Sequence, residues 1–354
     1  MHFLRRCIET GKFWLLVLSL PALFLSCGPS IYYVVPFDWR KPGGRDSTIL
    51  YYSKHLSGHT FFLDPGHGGA DRFSTGPNED VVEADVNLSV ALSLKHLLEQ
   101  AGAKVIVSRM KDTTIALIDR STLSNNSGAD VFISIHHNSI PKNGDPFTNY
   151  TSTFYHAIEG DSSYHPANHD IARYIQREIS YLLGNSGPLS SFDGTLSDYA
   201  IYPGQGFSVL RNAKIPAILT EGAFFSSEYE EQRLRQRQFN DIEAWGIFRG
   251  LGKYFKAGIP KLEFADSSEV WSPGYSFRIR VVDSSGANLS SISMKVDRKE
   301  FGYYYLPDSS LLILSLNPNL APGDHVLDVI VRNANGNSSF PFRRQFRVSP
   351  SEKL

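Results

Sequence analysis

Three stretches of this chain, far apart in sequence, each set a metal-binding residue type directly after an apolar run. Asp64-Pro65-Gly66-His67-Gly68-Gly69 follows Thr60-Phe61-Phe62-Leu63, and His136-His137-Asn138 follows Ala129-Asp130-Val131-Phe132-Ile133-Ser134-Ile135. Glu221 closes Pro216-Ala217-Ile218-Leu219-Thr220, and Glu83 opens a helical stretch, Glu83-Ala84-Asp85-Val86-Asn87-Leu88. Two imidazoles and two carboxylates are the set a hydrolytic zinc site uses, with neutral nitrogens and an acid holding the ion while a second acid handles protons.

Each residue is weighed against its ordinary role. A glycine-rich turn after a strand can cradle phosphate, but His67 sits inside this one and no Lys-Ser/Thr pair follows, which argues against a nucleotide loop. Asp64 is expected to orient the His67 ring. Glu83, at a helix start, would ordinarily serve the helix dipole, yet that helix end projects toward the same sheet edge as the strand ends. His136 leaves a buried run at its carboxyl end, where open α/β folds place ligands, and His137 must point the other way. His136 is therefore the expected ligand and His137 a rim or packing residue. An acid such as Glu221 at the end of a buried strand is costly unless it binds metal, pairs, or carries a raised pKa. On chemistry alone Glu83 and Glu221 are interchangeable as ligand and base.

The elements that must carry these residues read as α/β from Thr60 to about Gly258, a mostly parallel or mixed sheet flanked by helices. Strands are expected at 60–64, 103–108, 129–135, 152–158, 207–210 and 216–220, and helices at 83–101, 114–126, 167–183, 227–235 and 237–256. Val86, Val90, Leu94, Leu97 and Leu98 recur at helical spacing. Beyond Pro260 apolar and polar residues alternate at 277–281, 292–296 and 327–331, with turn signals between, which predicts a small all-β immunoglobulin-like sandwich over 261–350. The domain boundary falls near 257–262.

Composition narrows the class. The chain has 354 residues, 42% of them hydrophobic, 20% charged, with a net charge of −1. That supports two globular domains and gives no field for a nucleic-acid partner. Residues 1–27 read as an export signal: a basic head of Arg5, Arg6 and Lys12, then an apolar run too short to span a bilayer comfortably. It ends Phe24-Leu25-Ser26-Cys27-Gly28, like a bacterial lipobox, so Cys27 is expected to carry a lipid and anchor the protein in the cell envelope or periplasm. Cys7 and Cys27 are the only cysteines, which excludes a disulfide framework and a thiol nucleophile. Residues 28–59 are expected to be a tether that partly packs on the body, with a β-like run at 31–35.

Over roughly 60–256 the chain resembles the zinc-dependent N-acetylmuramoyl-L-alanine amidases of the type-3 class, which cut bacterial peptidoglycan. The resemblance rests on the ordered blocks at 64–69, 83–88, Leu117-Ile118-Asp119-Arg120, 129–138, Val209-Leu210-Arg211 and 216–221. It implies a phosphorylase/hydrolase-like fold, one Zn²⁺ per chain on His67, Glu83 and His136, and Glu221 as catalytic acid-base. It also implies hydrolysis of the amide between N-acetylmuramic acid and L-alanine, in wall remodelling or cell separation. His137 and Ser227 depart from the family pattern, where a small residue and Asn are usual. The plug helix of some relatives is not expected between Glu159 and Pro166, whereas the loop 184–206, with Tyr199 and Tyr202, is enlarged and expected at the crevice mouth. Arg120 and Arg211 are expected in structural ion pairs. Rival readings are a zinc peptidase acting within the stem peptide and a non-catalytic wall-binding lipoprotein. The sandwich is expected to position the catalytic part or to bind wall or a protein partner, and its Tyr303, Tyr304 and Tyr305 are expected to alternate between core and surface rather than to stack on a ligand.

Overall fold

In the computed structural model, which describes residues 33–350 apart from 142–143, 146, 266–269, 272–275, 284, 286–288 and 316–319, six short strands form one mixed sheet. They are β1 (Thr60–Pro65), β2 (Lys104–Val107), β3 (Val131–Asn138), β4 (Ser152–Tyr155), β5 (Thr195–Ser197) and β6 (Ala217–Phe224), in the order β2-β1-β3-β6-β4-β5. β2, β1, β3 and β6 run parallel, and β4 runs antiparallel to β6 with β5 parallel beside it. The parallel strands read as near-continuous apolar runs because both faces are covered.

The helices are α1 (Gly44–Leu56), α2 (Glu83–Gln100), α3 (Leu117–Asn125), α4 (Pro166–Leu183), α5 (Ser208–Arg211), α6 (Glu228–Leu234) and α7 (Arg237–Lys256). On one face α7 packs against α4, α2 and α1. Trp245, Phe248, Leu251 and Tyr254 of α7 are fully buried there, each contributing about 1.5–3 kcal/mol of apolar burial. On the other face Phe62, Phe132, Phe154 and Leu219 meet Val209 and Leu210 of α5. The segment 207–210, expected as a strand, is thus a single helical turn. So short an apolar run carries no readable period, and one turn buries Val209 and Leu210 together where a strand would send them to opposite faces. Within the expected tether, Gly44–Leu56 forms α1, whose Ile49, Tyr52 and Leu56 are buried at helical spacing. Residues 33–35 form no strand; Cys27 and the rest of 1–32 lie outside the described residues.

The C-terminal strands are β7 (Lys261–Phe264), β8 (Val270–Trp271), β9 (Ser276–Val282), β10 (Leu289–Val296), β11 (Lys299–Glu300), β12 (Tyr304–Leu306), β13 (Leu311–Ser315), β14 (Gly323–Asn333) and β15 (Phe342–Val348). They form two sheets, β11-β10-β14-β15-β8 and β12-β13-β9-β7. Neighbours are antiparallel except β15 and β8. Phe277, Ile279, Met294, Leu312, Leu314, Leu327, Val329 and Phe346 fill a shared core, as a sandwich requires.

The sandwich meets the α/β body at the carboxyl end of α7, where helical carbonyls lack intrahelical partners. Asn337 Nδ2 donates to Tyr254 O (3.0 Å) and Gly258 O (2.8 Å), and Asn335 Nδ2 to Ala257 O (2.8 Å). Asp170 of α4 accepts from Ser338 N (2.9 Å) and Arg332 Nη2 (3.1 Å) and pairs with Arg173. This end of α7 lies beside the amino end of β1, since Phe255 contacts His59 and Phe61. Glu243, near the helix's other end, reaches His137 at the carboxyl end of β3. A helix of this length spans about 30 Å. The junction and the strand ends bearing His67, His136 and Glu221 therefore occupy opposite edges of the sheet.

Candidate metal centre

Beyond Pro65 the chain turns sharply through Gly66, whose N–H still donates to Ile135 O of β3 (3.0 Å). His67 follows with φ 59°, a left-handed conformation that costs a non-glycine residue free energy and persists only where its surroundings enforce it. Two buried guanidiniums do so. Arg109 donates to Pro65 O (3.0 Å), Gly66 O (2.8 Å) and Ala84 O (2.6 Å), while Arg120 donates to Pro65 O (2.8 Å) and His67 O (2.9 Å). Arg109 thereby ties the His67 turn to the first turn of α2, where Glu83 is the first residue.

Glu83 is buried at the positive end of α2, which favours its ionised form. Its Oε2 lies 3.1 Å from His67 Nε2 and its Oε1 3.2 Å from His136 Nδ1. Oε1 also accepts from His137 N (3.2 Å) and Asn87 Nδ2 (3.3 Å). Burial alone would raise this carboxyl, but His136 and His67 override it and hold Glu83 well below the usual carboxylate range. Burial pushes the His67 imidazolium down, yet its hydrogen bonds and charges shared with Glu83 and Asp71 prevail and raise it to about 8.

One donor atom from each of His67, Glu83 and His136 lies within 4.8 Å of the others. Three features fit this set to a divalent ion. The donors are two nitrogens and a carboxylate oxygen, as in catalytic zinc sites. Asp71 Oδ2 sits 2.8 Å from His67 Nδ1, fixing the tautomer that leaves Nε2 free. Gly66 gives the His136 ring its place, since a Cβ there would overlap it.

Glu221 stands one strand over. In the parallel pairing of β3 and β6 it is the register partner of His136, so the two side chains leave the same sheet face. Its Oε2 is buried without a hydrogen-bond partner. Burial, then the negative charges of Glu83 and Glu243, push its carboxyl well above the ordinary range. The structure thus brings all four expected residues to one strand-end cluster.

Other expectations are corrected. Asp64 does not touch the His67 ring; it is buried with Ser108 Oγ (2.6 Å), Arg120 Nη1 (2.8 Å) and Ser134 Oγ (3.0 Å), so it neutralises Arg120 while Asp71 takes the orienting position. Arg211 donates to Gln205 O (2.6 Å) and Gly206 O (3.1 Å) and, among the described residues, has no ion pair with an acid. Tyr199 and Tyr202 flank the buried Asp198, which accepts from Ala157 N (3.0 Å) and Phe207 N (2.8 Å) at the amino end of β6, away from Glu221. Only the 184–194 part of that loop approaches Glu221: Thr151 N donates to Ser186 O (2.8 Å), and the next residue, Ser152, is the register partner of Glu221. Of the two roles expected for His137 the structure shows packing: it is fully buried, with Asn87 Oδ1 at 2.8 Å and Glu243 Oε2 at 2.9 Å. Asp71, Arg109 and Glu243 escaped the sequence reading; only the four-residue spacing of Asp71 from His67 offered any local cue.

A family model described as N-acetylmuramoyl-L-alanine amidase, Amidase_3, matches residues 61–253. The chain is 31% identical over 218 residues to the germination-specific N-acetylmuramoyl-L-alanine amidase of Bacillus subtilis, covering 58% of this chain and 83% of that protein. It is 30% identical over 200 residues to N-acetylmuramoyl-L-alanine amidase LytC of the same organism, covering 56% of this chain and 36% of the relative. The crystal structure of an N-acetylmuramoyl-L-alanine amidase from Clostridium difficile 630 aligns at 34% identity over 55% of this chain and 96% of that one, with a TM-score of 0.46. With a family match across more than half its length, the chain belongs to the Amidase_3 family and is a hydrolase of the N-acetylmuramoyl-L-alanine amidase class that acts on peptidoglycan.

Proposed function

We propose that this amidase is zinc-dependent, with His67, Glu83 and His136 holding one ion and Glu221 moving the protons. The observation that carries the reading is the unpartnered, buried Oε2 of Glu221 in register with His136. Zinc bound by the three donors would supply a Lewis acid for the scissile carbonyl and lower the pKa of the attacking water.

The remaining work falls to the chain. A Glu221 carboxylate oxygen takes a proton from the water as its oxygen bonds to the lactyl carbonyl carbon of N-acetylmuramic acid. The same carboxyl then gives a proton to the L-alanine nitrogen as the C–N bond breaks, leaving a lactyl carboxylate and a free amine. The high affinity of Glu221 for a proton suits the first transfer, and a divalent cation offsets the negative charges that would otherwise keep it protonated. Glu83 at the start of α2 and Asp71 beside His67 keep the donors aimed.

Digestion of purified peptidoglycan, with zinc content measured on the same preparation, tests the reading. Products with new N-terminal L-alanine and intact saccharide masses support it. Cleavage within the stem peptide would mark a peptidase instead, and no cleavage by zinc-loaded protein would mark a wall-binding one.

We also propose an export signal over 1–27 with a lipid on Cys27, a catalytic domain over 60–258 and an accessory sandwich over 261–350 that holds the enzyme to the wall or to a protein partner during remodelling. Among the described residues no helix is long and apolar enough to cross a membrane. Release of a Cys27→Ser protein from the membrane fraction would support the anchor, and unchanged fractionation would refute it.

A further inference from the structure

Glu231, on α6, is a fully buried carboxylate, and among the described residues it has no ion-pair partner. Its oxygens are met by one short segment of chain. Asn78 N donates to both (3.1 and 3.0 Å), Asn78 Nδ2 to Oε2 (2.7 Å), and Asp80 N to Oε1 (3.1 Å). Residue 76 has to be glycine for this to fit, because a Cβ there would overlap the carboxylate.

The segment so held is a closed hairpin. Gly76 N donates to Val81 O (2.9 Å), Glu79 N to Gly76 O (3.0 Å), and Thr75 bridges to Val82. Glu79 sits at φ 60°, a conformation that needs outside support in a residue with a side chain. The hairpin closes with Glu83 N donating to Ser74 O (2.9 Å), so its last link is the candidate metal ligand itself.

Arg109 holds the second residue of α2 by the Ala84 carbonyl, and the hairpin holds the first by its backbone amide. Val82, at the N-cap, offers no side-chain hydrogen bond to the free amides of the first turn. Where the helix begins is therefore set by the hairpin together with Arg109, and the hairpin is wrapped around Glu231. The same helix reaches two further loops near the strand ends. Glu230 accepts from Asn149 Nδ2 (2.8 Å), and Arg233 Nη1 donates to Asn185 Oδ1 (3.2 Å). Because α6 directly follows the strand that carries Glu221, a displacement of either would be felt on both sides of the site.

We propose that Glu231 is a positioning residue: its buried carboxylate holds the 74–82 hairpin and thereby sets where Glu83 meets His67 and His136. The inference rests on the reading of Glu83 as a metal ligand.

The test is zinc affinity of the folded full-length chain, measured by competition with a chromophoric chelator. Glu231→Ala is expected to bind zinc about tenfold to a hundredfold more weakly, the range for lost outer supports of metal ligands. Glu231→Gln should fall between, since its amide keeps one acceptor but turns N–H groups toward N–H groups. Gly76→Ala, which leaves Glu231 in place, should also weaken zinc about tenfold by forcing the hairpin off the carboxylate. Lys95→Ala, which removes only the surface ion pair with Glu99 farther along α2, should bind as the parent does. A Glu231→Ala chain that melts earlier yet binds zinc with unchanged affinity would show a merely structural role and overturn the proposal. Should that variant fail to fold, unchanged affinity in Gly76→Ala overturns it equally. A parent chain that takes up no zinc would sink the ligand reading first, and this one with it.

Discussion

Asp170 at one edge of the central sheet and Glu83 and Glu221 at the other are buried acids treated in opposite ways. At the junction edge the Asp170 carboxylate is saturated, with a backbone amide on one oxygen and two guanidiniums on the other. At the strand-end edge Glu83 faces two imidazoles whose other contacts aim them at it, and Glu221 keeps a buried oxygen with no partner. An unmet buried carboxylate oxygen costs free energy that folding alone does not recover. Saturation marks a fastening, and a convergent but unfinished set of donors marks a place where something else is to be bound.

The sharpest break of this contrast is Glu221→Gln. The amide fills the same space but cannot take a proton. Turnover of peptidoglycan should fall about a thousandfold or more, equivalent to roughly 4 kcal/mol of barrier, while zinc content and melting temperature hold. Loss of zinc instead would make Glu221 a ligand. Retained turnover would remove it from the mechanism.

Asp170→Ala applies the same logic to the fastening. It leaves Arg173 and Arg332 without their shared acid and Ser338 N without an acceptor. Both guanidiniums are about a third exposed, so solvent recovers part of the loss; stability should drop by about 3 kcal/mol in denaturant unfolding. Hydrolysis of a soluble muropeptide should stay within about twofold, because the junction lies at the far edge of the sheet. A large fall in that activity would mean the two edges are coupled and would blunt the contrast.

How far each edge could be read in advance follows from the same difference. The strand ends were legible because β1, β3 and β6 are apolar runs that stop at residues with obvious chemistry, and α2 shows its period in Val86, Val90, Leu94 and Leu97. What surrounds the candidate ligands was not. Arg109 acts on carbonyls 43 and 44 residues back, and Glu231 on a turn 153 residues away. Such partners carry no local spacing, and an arginine or glutamate in a helix or loop is ordinarily a solvated residue. Asp64 misled because nearness in sequence to His67 suggested contact, whereas β1 turns its side chain toward α3 and Arg120. The junction was invisible for another reason: Asn333, Asn335 and Asn337 look like turn residues until they are seen capping α7.

The junction also carries a pH signature of its own. His165, the N-cap of α4, accepts from Ala167 N at Nδ1 (3.3 Å), and its Nε2 is buried without a partner. Burial pushes its pKa down to about 4, with Asp328 of the sandwich opposing. The unfolded chain takes up this proton below the ordinary value of 6.5, and the folded chain does so only near 4. Stability should therefore fall as pH drops through that window, by about 2 kcal/mol from this group after allowance for its partial exposure. Urea unfolding of the parent and of His165→Asn, compared at pH 7 and pH 4.5, isolates the term. Parallel slopes in the two proteins would show that His165 contributes none of it.

The smallest effect separates charge from orientation at the strand-end edge. Asp71 is an exposed acid whose Oδ2 meets His67 Nδ1, so it can aim the ring and also make it more basic. Asp71→Ala removes both effects and should weaken zinc binding about tenfold at pH 9, the low end for such a partner because solvent can replace it. Asp71→Asn keeps an acceptor oxygen and should cost only a few-fold. Protons compete with the ion, and metal-free His67 titrates near 8 partly through Asp71. The parent's affinity should thus begin to fall as pH drops below about 8, whereas either variant, with His67 less basic, should hold on to a lower pH. The deficit of both variants should shrink between pH 9 and pH 6. A deficit that stays constant would assign Asp71 to orientation alone, and no deficit at any pH would leave the ring aimed by Glu83 and the Arg109–Arg120 clamp without its help.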